Sequence, residues 1–322
     1  MNHYFFFRAS ESACERLELS IDDFKLSLLG WNCLCKEINK SPLDTDQELY
    51  DKIAYVHAPS NCRFTRIKGY FKGKSWEDYL VDQTFSLIIN ACTIFEGWAE
   101  EVLSFIDEDC PFMPRSRLVK ALQFPEQGKR QDVWSKAVAF IKEFFPCPGL
   151  GSAFINGFRC DAKYSLPQMN ALLKLYRLAK EMRNCYIHSR GVAGKKCATA
   201  YKAYQSLVAG DLGVKKMPSF GHIVEGRKIN PDCHGAIGVT DVIIRMIRTI
   251  DAELIPTQLA LEEFKARYVS SNKQEITLKS GEKESTAHIE KTIRKIWDRK
   301  DVCQDYQMLR QILKDQRLCK FA

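Results

Sequence analysis

This chain has no apolar run of the roughly 18 residues needed to span a bilayer. Near its start, Tyr4-Phe5-Phe6-Phe7 is broken at once by Arg8. That run is too short for the apolar part of a signal peptide and is expected to begin a buried strand or helix. Phosphate-loop chemistry is absent too. Gly149 and Gly151 are not followed by Gly-Lys-Ser/Thr, and no dinucleotide fingerprint occurs. Neither a Gly-x-Ser-x-Gly nucleophile elbow nor a His-Glu-x-x-His pair is present. Cys33-Leu34-Cys35 has no second pair at zinc-ligand spacing, and neither has Cys233-His234, so no metal and no cofactor are expected. The 13 cysteines follow no regular spacing over 322 residues, unlike a dense secreted disulfide scaffold. They are expected as reduced thiols in a cytoplasmic protein without a membrane partner. No solenoid repeat appears.

What remains is an ordinary soluble composition, 45% hydrophobic and 27% charged. The formal net charge is +8, which favours a polyanionic partner. From Ala287 to Ala322 there are nine Lys/Arg and five Asp/Glu, a net of +4, so half the excess lies at that end.

Helical periodicity dominates. It covers Ala13 to Ile38 and is strongest from Trp76 to Ile106, where Val81, Phe85, Ile88, Cys92, Phe95, Ala99, Val102 and Ile106 form a stripe. Leu87, Ala91, Ile94, Trp98 and Phe105 widen that stripe enough to need more than one partner helix. Glu96 lies within it and needs a cationic or hydrogen-bonding partner. Further helices are predicted over Gln131–Phe145, Ala198–Val208, Ala236–Leu254 and Leu259–Val269. His288–Leu318 predicts a helix or helix pair. Pro146–Lys163 reads as a loop, 210–233 as loop-rich, and 270–286 as a polar linker. Ile53–Phe71 looks like short strands or loops. The basic and aromatic run Arg63–Lys74 fits either a stacking surface for nucleic acid or a solvated hairpin.

Another strong helix follows Ser165, an expected N-cap, and Pro167, which suits the first turn. Its stripe is Met169, Leu172, Tyr176, Ala179, Met182 and Tyr186, with Gly191 as the expected stop. Arg183 and Asn184 lie on this helix, and His188 lies in its last turn. His188 is the only one of the six histidines with an arginine five residues before it.

The segment Glu181-Met182-Arg183-Asn184-Cys185-Tyr186-Ile187-His188-Ser189-Arg190-Gly191 resembles the signature of HEPN-domain proteins. The earlier Ile94-Phe95-Glu96-Gly97-Trp98 looks like the second helix of larger members. The resemblance covers about residues 75 to 255. It implies an all-α, HEPN-like helical bundle that dimerises, and a metal-independent endoribonuclease of the toxin or antiviral-defence kind. Some members of that family lack catalysis. The organisation then reads as an N-terminal mixed extension (1–74), a helical core (75–256) and a C-terminal helical extension (257–322). By resemblance, Arg183, Asn184 and His188 are the catalytic positions, with Glu96 and Glu181 supporting them.

The chemistry can also be argued from the residues. Cleavage without metal needs a base for the 2′-hydroxyl proton and an acid for the leaving 5′-oxygen, and histidine serves both near neutral pH. The expected ends are a 2′,3′-cyclic phosphate and a 5′-hydroxyl. Arg183 offers a planar fork of donors to the phosphorane charge, and Asn184 can orient the histidine. Residues five apart on a regular helix lie about 140° apart, so one copy does not place Arg183 beside His188. A composite site across a homodimer axis could join them. Arg190, Lys195 and Lys196 are expected to steer RNA or to form a solvated basic loop. His188 could instead only cap the helix, and Arg183 could form an ion pair with Glu96. The alternative function is a non-catalytic RNA- or protein-binding dimerisation module. A regulatory protein partner is expected to restrain any activity.

Overall fold

The computed structural model describes residues 5–40, 48, 75–110, 113–123, 133–271, 276–278, 282–299 and 301–321. The stretches at 53–71 and 63–74 discussed above lie outside them. Eleven α-helices are present among the described residues: α1 (Arg8–Lys40), α2 (Trp76–Val102), α3 (Arg115–Gln123), α4 (Val133–Phe144), α5 (Pro148–Arg159), α6 (Met169–Ser189), α7 (Lys195–Gln205), α8 (Cys233–Glu253), α9 (Gln258–Ser271), α10 (Glu282–Trp297) and α11 (Tyr306–Asp315). The fold is an all-α bundle. Its only described strands are β1 (Ile276–Leu278) and β2 (Cys319–Phe321), which pair in parallel. β1 falls within the polar 270–286 stretch, where Ile276 and Thr277 supply β-branched residues.

α2 is the central element. Ser75 and Asp78 form a reciprocal capping box at its start. The predicted stripe is buried from Phe85 through Val102, and α1, α3, α6 and α8 cover it. Trp98 buries its ring and donates Nε1–H to Ser10 Oγ at 2.9 Å. Phe105 is the exception, because the helix ends at Val102 and the turn that follows leaves this ring exposed.

Phe5, Phe6 and Phe7 are buried just before α1. Phe6 packs among Phe154, Phe158 and Trp297, at ring-centroid distances of 5.6, 5.6 and 5.2 Å. Thus α5, α10 and the first described residues share one apolar centre, continuous with that of α2, α6 and α8. α10 turns Ile289, Ile293, Ile296 and Trp297 into this core, leaving Arg294 and Lys295 outside.

Several local expectations need correction. Pro146–Lys163 is mostly the helix α5, with Pro148 at its start. Its glycines serve close packing. A Cβ on Gly157 would overlap the Val302 carbonyl, so only glycine lets the 302 backbone approach. Ser165 does not cap α6. Its hydroxyl donates to the Lys163 carbonyl at 2.9 Å, and a 3-10 turn over Leu166–Gln168 comes first. α7 begins three residues before the predicted start. The short helix α3 was not foreseen.

Candidate functional site

α6 is regular from Met169 to Ser189, then ends abruptly. Arg190 takes a left-handed conformation (φ 52°) and Gly191 follows at φ 78°. The Gly191 N–H donates to the Cys185 carbonyl at 3.0 Å, closing a Schellman-type cap. The expected glycine stop is therefore preceded by a left-handed arginine. Because the helix stays regular through the motif, Arg183 and His188 remain about 140° apart.

The two faces differ sharply. Arg183 turns inward and donates Nη1–H to Glu96 Oε1 at 3.1 Å. Lys180, one turn earlier on the same face, puts Nζ 2.9 Å from that oxygen. One carboxylate thus carries two cations, and the trio keeps an excess charge of +1. Lys180 is the deeper, its side chain 7% exposed, against 24% for Arg183. Burial pulls the Lys180 ammonium below its ordinary pKa, and the Glu96 contact works against that pull. Arg183 Nε is buried with no hydrogen-bond partner among the described residues.

Gln123, at the end of α3, ties this cluster together. Its side-chain amide donates to the Glu96 carbonyl at 2.9 Å and to Glu100 Oε1 at 3.2 Å. Its own carbonyl accepts from Lys180 Nζ at 3.1 Å and Tyr176 Oη at 3.4 Å. Aromatic contacts fix α6 against α2 on either side. Phe95 meets Tyr176 edge-on at 4.8 Å, and Phe85 stacks on Tyr186 at 4.3 Å. Tyr186 Oη donates to Asp82 Oδ1 at 2.9 Å.

The outward face carries the rest. His188, Ser189 and Arg190 are exposed, Asn184 is half-buried, and the apolar Ile187 is 49% exposed. Glu181 does not reach Arg183. It accepts from Arg177 Nε at 3.1 Å, an i,i+4 pair on its own helix. Cys185 is buried and its sulfur accepts from the Gly194 N–H at 3.5 Å, a packing role. Lys195 and Lys196 are exposed in the first turn of α7.

So the structure joins Arg183 to Glu96 as expected and adds Lys180 and Gln123, which sequence reasoning missed. It does not bring Arg183, Asn184 and His188 around one point within a single copy. Lys180 had a readable signal, because it lies three residues before Arg183 and shares its face. Gln123 had none, since it belongs to an unforeseen helix. Among the described residues no group of three or more His, Cys, Asp or Glu side chains is placed to hold a metal ion, and no helix is long and apolar enough to cross a membrane. No family description, curated protein or solved structure matches this chain.

Proposed function

We propose that this protein is a metal-independent endoribonuclease whose site is composite, assembled from α6 of two copies. The observation that carries the reading is the division of labour along α6. A cation is anchored inward on Glu96 with charge to spare, while a histidine stands exposed one helical turn further on. Arg183 keeps donors beyond the one given to Glu96, and those donors suit the equatorial oxygens of a phosphorane. His188 of either copy would take the 2′-hydroxyl proton and return it to the 5′-oxygen. Asn184, between them in sequence, would hold the histidine or a phosphate oxygen. In such a dimer the half-exposed Ile187 beside His188 would be covered by the second copy. The resemblance of this segment to the HEPN signature supports the same chemistry and a toxin or antiviral-defence context in the cytoplasm, with a protein partner restraining it.

One observation favours a second reading. The Glu96–Arg183–Lys180 cluster would exist in a purely architectural helix pair, and a non-catalytic RNA- or protein-binding dimerisation module needs nothing more. The two readings separate on one experiment. Total RNA is incubated with the full chain in EDTA, beside Arg183→Ala and His188→Ala. Cleavage to cyclic-phosphate ends that survives EDTA and falls at least a hundredfold in both variants is the expected result. Cleavage unchanged in both variants removes the site assignment. No cleavage by the unaltered chain favours the binding module.

A further inference from the structure

The turn after α6 does not stand alone. It is laced to a second segment some thirty-five residues later in sequence. The Ile229 N–H donates to the Gly191 carbonyl at 2.9 Å, Ala193 N–H to Arg227 O at 2.9 Å, and Gly226 N–H to Ala193 O at 2.8 Å. Val192 and Lys228 face one another as an isolated antiparallel bridge. The far segment is seated on α7. Tyr201 Oη donates to Gly221 O at 2.5 Å, Tyr204 Oη donates to the Pro218 carbonyl, and Phe220 packs on the Tyr204 ring.

This lacing gathers cations that sequence keeps apart. Arg190, Lys195 and Lys196 come from one segment, and Arg227 and Lys228 from the other, and all five are exposed. None makes an ion pair among the described residues. Glu225 is the one acidic side chain within 188–196 and 225–228, leaving a net of +4 there with histidine neutral. Elsewhere on the surface, basic residues are commonly neutralised locally, as Lys163 is by Asp241, Lys265 by Glu262 and Arg299 by Asp301. Five unpaired cations on a hydrogen-bonded frame repel one another, and a chain of phosphates relieves that repulsion.

We infer that Arg227 and Lys228, together with Arg190, Lys195 and Lys196, form a ledge that binds the sugar–phosphate backbone of single-stranded RNA and leads it to His188. The choice of RNA rests on the ribonuclease reading, while the polyphosphate-binding surface stands on the charge and the frame. Binding here reads backbone charge and not bases, so it should be nearly independent of sequence and steeply dependent on salt.

The test uses the full chain carrying His188→Ala, so that RNA stays intact, and a fluorescently labelled 20-nucleotide single-stranded RNA. Anisotropy titrations are run from about 50 to 200 mM salt. Arg227→Gln/Lys228→Gln is expected to weaken binding about tenfold and to lower the slope of log affinity against log salt by about 1.4, or 0.7 per lost phosphate contact. Lys291→Gln/Lys295→Gln on α10 removes the same charge from exposed positions elsewhere and is expected to change neither. Equal losses from both pairs would show an effect of net charge alone and overturn the ledge. So would an unchanged slope in the Arg227/Lys228 variant, or no binding by the parent protein. Circular dichroism confirms that the variants keep the parent's helix content. If the ledge variants lose binding while the unaltered chain never cleaves, the ledge stands and the ribonuclease reading fails. If the chain cleaves and the ledge variants bind and cleave normally, the reverse holds.

Discussion

Glu96 and Glu253 each carry two cations, as Asp241 and Glu263 also do, and the difference between the first two separates architecture from site. Glu253, at the end of α8, is saturated. Its Oε2 accepts from Lys142 Nζ at 2.7 Å, and its Oε1 accepts from Arg159 Nε at 2.9 Å, Arg159 Nη2 at 2.6 Å and Tyr164 Oη at 2.7 Å. Those bonds tie α4 and α5 to α8. Burial alone would raise the Glu253 pKa, but the Lys142 and Tyr164 donors outweigh it and hold the carboxyl below its ordinary range. Glu96 receives both cations on one oxygen, is itself 21% exposed, and leaves Arg183 Nε without a partner among the described residues. Four donors close the Glu253 carboxylate, which is itself only 7% exposed. The Glu96 carboxylate is more open, and the guanidinium beside it keeps part of its surface exposed.

The sharpest way to break this comparison is to remove each carboxylate. Glu253→Ala strands Lys142, Arg159 and Tyr164 together, and about 3–4 kcal/mol of stability is expected to go. Glu96→Ala leaves Arg183 and Lys180 facing each other, but Lys180 keeps the Gln123 carbonyl as an acceptor, so about 2 kcal/mol is expected. Urea unfolding of both variants measures the two losses. An equal or reversed order would mean that the Glu96 cluster is as architectural as the other, and would weaken the case for Arg183 as a free phosphate ligand.

Another buried carboxylate on α8 sharpens the same contrast. Asp251, two residues before Glu253, has amides where Glu253 has cations. Its Oδ2 accepts from the Phe6 N–H at 2.7 Å and its Oδ1 from the Phe7 N–H at 3.1 Å. Burial is the larger effect, and the pKa is pushed up to about 6 from 3.8 in spite of those donors. Because the folded state holds this proton more tightly than the unfolded chain, its contribution is fully present below about pH 4. It is lost as pH rises through about 6, a swing of about 3 kcal/mol. Glu253 works in the opposite sense, losing its contribution as pH falls. The stability of the parent relative to Asp251→Asn should therefore be greater at pH 4 than at pH 7. A difference that does not change with pH would show that Asp251 titrates normally.

How much of this was readable in advance follows from where the information resides. α2, α6 and α8 announce themselves because their apolar stripes are wide and unbroken, and Glu96 inside a stripe demanded a partner. The Arg183 contact was legible for that reason. α5 was not, because glycine near proline favours a turn locally, and the need for Gly157 arises only when Val302 packs against it. Lys180 shares a face with Arg183, but its depth arises only where Gln123 of α3 meets it. Arg227 and Lys228 are ordinary loop residues until the Val192–Lys228 bridge pairs them with the turn after Arg190. The misses at α5, Gln123 and residues 227–228 are properties of tertiary neighbours and leave no trace in local pattern.

The smallest effect tests whether the open region gives up stability for charge. Arg190 sits at φ 52°, a conformation that costs a non-glycine residue about 1–2 kcal/mol. Glycine would relieve that strain, and the extra freedom of the unfolded chain would return part of the gain. Arg190→Gly is therefore expected to stabilise the fold by about 0.5–1 kcal/mol. It should also lower the salt slope of RNA binding by about 0.7, the share of one phosphate contact. Nothing comparable is available at the saturated cluster, where the side chains that bear charge also hold helices together. If Arg190→Gly destabilises the protein, its side chain holds the α6 cap and the left-handed arginine is architectural. If it stabilises the protein and the RNA slope does not move, the strain has some other origin and Arg190 leaves the ledge. The expected pair of results, a firmer fold and a weaker grip on RNA, would mark the end of α6 as the place where this chain keeps charge at the expense of stability.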